Sequence, residues 1–173
     1  PGRAERIMEE PFTQFLPLIQ TLEQVIIDYL DKPFAFYSHS AGNLLSFELA
    51  HILRQNYDLE PIHLFAGAFW APHTVTKNMA DHFFKRSDEE IINTFLEISE
   101  VPREYIHKET FVKEHLPTLI ADTQFFQSYT YSKKQPLNCP ISAFGGIEDP
   151  IVSYEELTQW SQHTTSNFKV HML

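Results

Sequence analysis

The sequence of 173 residues holds a single cysteine, Cys139, which excludes an internal disulfide. No Cys/His group has the spacing of a zinc site, so no metal and no cofactor is expected, and a reducing, cytoplasmic setting is the simplest expectation. Basic residues are also scarce. Thirteen Lys+Arg stand against 23 Asp+Glu, a formal net charge of -10, which argues against a protein that tracks a phosphate backbone. Long apolar runs are missing: the longest, from Leu64 to Ala71, is less than half of the roughly 20 residues a membrane-spanning helix needs. The N-terminus lacks a charged-then-apolar signal pattern. Neither nucleic acid nor a membrane is an expected partner, and a soluble monomer is the expectation. There is no internal repeat and no low-complexity tract.

What is present is apolar payload. Fifteen Phe, 7 Tyr and 2 Trp within a 43% hydrophobic composition exclude a disordered chain and fit one globular domain with a sizeable core. The sequence begins at Pro1-Gly2-Arg3 without a Met and stops at His171-Met172-Leu173 inside a strand pattern. A piece of a longer protein, cut at both ends, is therefore expected.

Four short apolar runs read as buried strands: Pro33 to Ser38, Pro61 to Ala68, Pro140 to Gly145 and Phe168 to Met172. Helical periodicity covers Phe12 to Leu30, with Phe15, Leu16, Ile19, Leu22 and Ile26 on the apolar face, and Ala41 to about Asn56, with Leu44, Leu45, Leu49, Ile52 and Leu53. Between the second and third strands, 70–134 has a different texture, with mixed charge and helical patterns but no strand signal. Within it Ser87-Asp-Glu-Glu90 has the form of a capping box, and a pattern over Phe111 to Tyr129 contains Pro117, which should start or kink a helix there. Ser153-Tyr-Glu-Glu156 caps a further helix leading to Trp160. Strands alternating with helices predict an α/β fold, a mostly parallel sheet with helices on both faces and a helical lid insertion above the carboxyl ends of the strands.

The strongest local signal is Ser38-His39-Ser40-Ala41-Gly42 between a strand and a helix. A nucleophile elbow needs small residues two before and two after its serine so that the chain can turn tightly, and Ser38 and Gly42 hold those places around Ser40. The usual first glycine is replaced by Ser38. At such a turn the Ser40 hydroxyl stands at the N-terminus of the following helix, and the Ala41 N–H is one candidate oxyanion donor. A serine hydrolase of this kind carries its acid and then its histidine later in the chain. Gly145-Gly146-Ile147-Glu148-Asp149-Pro150 follows a strand directly. Asp149, held extended before Pro150, is the preferred acid, with Glu148 as competitor. None of the nine histidines is well placed: His39 adjoins Ser40 but points elsewhere, His51 lies in a helix, His63 and His73 flank a strand, His82, His107 and His115 fall in the insertion, His163 precedes the last strand, and His171 sits within it.

Pro1-Gly2-Arg3-Ala4-Glu5-Arg6, the SHSAG elbow, Phe47-Glu48-Leu49-Ala50, Pro72, the GGIEDP turn and Trp160 together resemble the type II thioesterases. These are α/β-hydrolase proteins that accompany nonribosomal peptide and polyketide synthases. Leu116 to Asp122, Tyr129, Tyr131 and Pro136 to Pro140 resemble that family's lid and its return into the sheet. The resemblance implies a helical lid over about 70–134 in a single partial domain over 1–173, Ser40 as nucleophile and Asp149 as the acid that orients a histidine. That histidine is expected a few residues beyond Leu173, and the second oxyanion N–H before Pro1. It also implies acyl or peptidyl carrier protein domains as partners, the substrate riding on the partner's phosphopantetheine. Lacking the histidine, the chain of 173 residues is expected to turn over little.

Phe83, Phe84, Phe95, Phe125 and Phe126 are candidates to line an acyl channel. The adjacent basic pairs Lys85-Arg86 and Lys133-Lys134 are candidates for carrier docking. A carboxylesterase or lipase acting on free esters, and a non-catalytic binding protein of the same fold, are the competing readings.

Overall fold

Proline supplies no backbone N–H, so each proline-led run begins its ladder just after the proline. In the computed structural model, which describes residues 1–81, 87, 90 and 108–173, with 108–116 described by backbone alone, β1 is Ala35–His39, β2 His63–Gly67, β3 Ile141–Gly145 and β4 Phe168–Met172. Pro140 still serves as an acceptor, its carbonyl taking the Leu64 N–H at 3.0 Å. The four strands lie in the order β1-β2-β3-β4, all parallel, in the register Phe36, Leu64, Ile141, Phe168.

The helices are α1 (Phe15–Ile26), α2 (Gly42–Tyr57), α3 (Val75–Met79), α4 (Lys108–Ser128) and α5 (Tyr154–Thr158), with a 3₁₀ segment Gln159–His163 continuing α5. The chain divides into two compact units. One comprises Pro1–Leu18 and Thr76–Thr130, the other Ile19–Val75 and Tyr131–Leu173.

In the second unit α2 packs on β1 and β2, and α5 on β3 and β4. Leu44, Phe47, Ala50 and Leu53 of α2 are buried, as are Leu64 and Ala66 of β2, Ile141 and Ala143 of β3, and Leu157 and Trp160. The rings of Phe47 and Trp160 meet edge to face at 6.0 Å, and the Trp160 indole N–H donates to the Phe69 carbonyl at 3.0 Å. Successive right-handed crossovers in a sheet of sequential strand order place their helices on one face. The expectation of helices on both faces is met on that face among the described residues. The opposite face carries Tyr37, which is exposed, and the stacked pair Phe144 and His171, ring centroids 4.8 Å apart.

In the first unit Gly2 has φ 70° and is buried, and a Cβ there would meet the Pro11 Cβ at 2.8 Å, so both conformation and space call for glycine. Its carbonyl accepts from Thr118 Oγ1 at 3.0 Å, and Arg3 forms an ion pair with Asp122. The Pro-Gly-Arg opening is thus fastened to α4. Phe15 packs against Phe125 (5.2 Å) and Tyr129 (4.8 Å). Of the two outcomes expected at Pro117, a helix start is not found: α4 begins at Lys108 and runs through the proline. Burial of Ala121 and Phe125 along its later turns, and of Tyr129 just after it, outweighs the hydrogen bond that proline forfeits.

Both capping boxes read from the sequence are formed. Ser87 N–H and Oγ donate to the Glu90 carboxylate at 2.7 and 2.8 Å, and Ser153 N–H and Oγ donate to Glu156 at 2.9 and 3.0 Å.

Candidate active site

Parallel strands bring their carboxyl ends to one edge of the sheet, and there the chain leaves β1 through Ser40. Its φ of 51° lies in the left-handed region that an L-residue enters at a cost of about 1–2 kcal/mol. Two backbone bonds hold it there. The Ser40 N–H donates to the Gly67 carbonyl at 2.9 Å, extending the β1–β2 ladder by one residue, and the Ser40 carbonyl accepts the Asn43 N–H at 3.0 Å as α2 begins. Ser40 is exposed. No side chain caps α2, so its opening amides are not taken up by a cap. Gly42 packs its backbone against Ser38: a Cβ at Gly42 would lie 3.6 Å from the Ser38 Cβ, ordinary contact distance. The neighbouring strand end repeats the strain, Ala68 having φ 47° directly after β2.

Asp149 lies in the turn after β3, two strands from Ser40 along the same edge, a lateral offset of about 10 Å at the usual strand spacing. Its Oδ1 accepts the backbone N–H groups of Ile151 (2.8 Å) and Val152 (3.1 Å), and its own N–H donates to the Gly146 carbonyl at 3.2 Å. Both of those bonds fall on Oδ1 and leave the Oδ2 side of a half-buried carboxylate clear of them. The competitor Glu148 is exposed.

Among the described residues no histidine hydrogen-bonds to Ser40 or Asp149. His39 lies with its Nδ1 beside Gly67, where a Cβ would meet it at 3.3 Å, so its ring turns toward β2. His63 stacks on Phe65 at 4.1 Å and contacts Ser142 Oγ at 2.9 Å. His171 stacks on Phe144. His51, on α2, and His163 both pack edge to face against Phe47 at 4.6 and 4.9 Å, Arg54 Nη2 donates to His51 Nδ1 at 3.1 Å, and His73 Nδ1 lies 2.8 Å from His163 Nε2. Burial, reinforced by the positive charges of Arg54 and Lys134, holds His51 down to about 3, and burial together with His73 and Lys134 holds His163 down to about 4. His82, His107 and the side chain of His115 lie outside the described residues.

Lys134 is engaged by Glu48 at 2.7 Å, which leaves Lys133 as the exposed member of that basic pair, while Lys85 and Arg86 lie outside the described residues. Phe83, Phe84 and Phe95 also lie outside them. Phe125 is occupied by packing against Phe15 and Phe126. No group of three His, Cys, Asp or Glu among the described residues is arranged to hold a metal ion, and no described helix is long and apolar enough to cross a membrane.

One set of contacts was not anticipated from the sequence. Ser38, read only as a small stand-in for glycine, donates from Oγ to Asn43 Oδ1 at 2.9 Å, and Asn43 Nδ2 donates to the carbonyls of Ser40 and Gly67, both at 2.8 Å. The available signal was an asparagine in the first turn of α2, beside the apolar Leu44 and Phe47.

A parallel sheet with a strained serine between strand and helix and an acid after a later strand places the chain in the α/β-hydrolase fold class. The thioesterase domain model matches residues 1–173, and the chain belongs to that family. It is 35% identical over 176 residues to linear gramicidin dehydrogenase LgrE of Brevibacillus parabrevis, covering 100% of this chain and 66% of that protein. Among solved structures it is similar to the RedJ thioesterase from the prodiginine biosynthetic pathway in Streptomyces coelicolor, with TM-score 0.86, 30% identity and coverage of 100% of this chain and 64% of that one. It is also similar to the type II thioesterase BorB from the borrelidin biosynthetic cluster, with TM-score 0.77, 28% identity and coverage of 100% and 67%. These relatives bear out the type II thioesterase resemblance. The chain spans about two thirds of the length of the relatives it matches.

Proposed function

We propose that the protein hydrolyses acyl or peptidyl thioesters carried on the phosphopantetheine arm of carrier proteins, as an editing or release step in nonribosomal peptide or polyketide biosynthesis. The observation that carries this reading is Ser40, an exposed serine held at φ 51° between β1 and α2, in a chain of the thioesterase family. Strain of this size persists where the surroundings over-determine it and the position is used.

In the proposed reaction Ser40 Oγ gives its proton to an imidazole and attacks the thioester carbonyl carbon. The Ala41 N–H donates to the oxyanion, the carbon–sulfur bond breaks, and the thiol leaves with the proton. Water, deprotonated by the same imidazole, then attacks the Ser40 ester and releases the free acid. Asp149, its Oδ1 fixed by two amides, orients and charges up the imidazole through its other oxygen. Within this reading 70–134 acts as the lid. Residues 1–173 alone turn over little, because no described histidine bonds to Ser40 or Asp149.

Turnover of acyl-pantetheinyl carrier protein by the full-length protein, beside Ser40→Ala and with simple oxygen esters in parallel, tests this reading. Release of free acid from the carrier thioester that disappears in Ser40→Ala is expected. Equal rates for both proteins overturn the reading, and preference for free oxygen esters reassigns the substrate.

A further inference from the structure

The Ser38–Asn43 contacts go beyond filling the place of a glycine. Asn43 is completely buried, and both carbonyls it faces, Ser40 O and Gly67 O, can only accept, so its Nδ2 must be the atom turned toward them. Its Oδ1 is thereby turned toward Ser38, whose hydroxyl proton it takes at 2.9 Å. Ser38 Oγ then has its lone pairs free for Ser46 Oγ at 2.8 Å. The result is a directed chain from Ser46 through Ser38 and Asn43 to the Ser40 carbonyl, with every polar atom in it partnered.

That carbonyl belongs to the same peptide as the Ala41 N–H. All peptides described are trans, and in a trans peptide C=O and N–H point in opposite directions. Two donors from Asn43, its backbone N–H at 3.0 Å and Nδ2 at 2.8 Å, draw the Ser40 carbonyl toward the first turn of α2. The Ala41 N–H is therefore aimed outward at the helix N-terminus. Hydrogen bonds to the carbonyl also polarise the peptide and strengthen the N–H as a donor. Gly67 O, which accepts both the Ser40 N–H and Asn43 Nδ2, ties this peptide to β2.

We propose that Asn43 is a positioning residue for the thioester hydrolysis proposed above, and that Ser38 is its partner: together they aim the Ala41 N–H at the oxyanion and hold Ser40 at its left-handed turn. The inference rests on that reading, and it explains why this elbow works with serine where glycine is usual. Replacing Ser38 by glycine would leave Asn43 Oδ1 buried without its donor.

The test uses the full-length protein with Ser40→Ala, Asn43→Ala, Ser38→Ala and the Ser38→Ala/Asn43→Ala double variant. The readouts are kcat and KM on an acyl-carrier thioester, the rate of Ser40 labelling by a fluorophosphonate, and Tm. Removal of an oxyanion donor typically costs about 10²- to 10³-fold in kcat, so misaiming one should cost roughly 10- to 100-fold, with KM unchanged within about twofold. Labelling should slow in parallel, because the probe also develops an oxyanion. Ser38→Ala should lower kcat by about 3- to 10-fold, and the double variant should be no worse than Asn43→Ala alone.

If Asn43→Ala fails to fold, Ser38→Ala carries the test, since it keeps both Nδ2 bonds; unchanged kcat and labelling there overturn the proposal. A folded Asn43→Ala protein with wild-type kcat, beside an inactive Ser40→Ala, overturns the role of Asn43 and leaves the thioesterase reading standing. Turnover surviving in Ser40→Ala overturns both.

Discussion

His73 Nδ1 lies 2.8 Å from His163 Nε2, with His163 buried between the rings of Phe47, Trp160 and Tyr131. One nitrogen of the pair donates and the other accepts, so the arrangement suits neutral rings, and protonating both would set two N–H groups against each other. Glu48 faces this region already engaged by Lys134, and the guanidinium of Arg54 faces His51. His51 and His163 are held down to about 3 and about 4 in the folded chain, against about 6.5 when unfolded. As pH falls below about 6.5 the unfolded chain takes up protons that the folded chain refuses, so stability is full above that pH and declines toward pH 4. A loss of about 2 kcal/mol per histidine by pH 5, or roughly 4–8 °C in Tm each, is expected. Thermal melts at pH 7.5 and 5 check it. The drop should shrink in His163→Gln, and a Tm that rises on acidification contradicts the account.

Ser40 at φ 51° holds a conformation that glycine enters freely. Ser40→Gly relieves about 1–2 kcal/mol of strain and returns part of it through the greater freedom of the unfolded chain, for a net gain of about 0.5–1 kcal/mol. The variant should melt a few degrees higher and show no hydrolysis. A lower Tm would mean that the turn is not strained in solution.

Gly145 ends β3 where the chain turns toward Asp149, and a Cβ there would come within 2.5 Å of Leu157 Cδ1. Leu157, on α5, is fully buried, and its Cδ1 must shift to admit the added methyl. Gly145→Ala should destabilise by about 1–3 kcal/mol. Adding Leu157→Val removes the colliding methyl and should recover part of the loss, a coupling that urea melts of the two single variants and the double variant measure.

Three of the four strands were legible because proline-led apolar runs of six to eight residues leave few alternatives, and the structure starts each of those ladders one to two residues after its proline, at Ala35, His63 and Ile141. The elbow was legible as spacing around Ser40, but its support was not. Nothing in Ser38 or Asn43 taken singly announces a hydrogen bond across five positions, which exists only once β1 and α2 fold back on each other. The histidine cluster was hidden for the same reason, His73 and His163 being 90 positions apart. As a helix start Pro117 misled because propensity is local, whereas the burial of Phe125 against Phe15 is not.

Asp149 has two separable jobs that one substitution can divide. As a turn residue it needs only a side-chain oxygen for the amides of Ile151 and Val152, and asparagine supplies that oxygen in the same place. As the acid of a catalytic triad it needs negative charge beside an imidazole, and asparagine removes that charge and favours the wrong tautomer. Asp149→Asn should therefore keep the Tm within about 1–2 °C, whereas Asp149→Ala, which loses both amide bonds, should lower it further. On an acyl-carrier thioester Asp149→Asn should reduce kcat on the order of 10³- to 10⁴-fold, with KM little changed. Glu148→Gln, altering an exposed neighbour, should leave kcat within about twofold. A full rate in Asp149→Asn together with a deep loss in Glu148→Gln would move the acid's role one residue back along the turn.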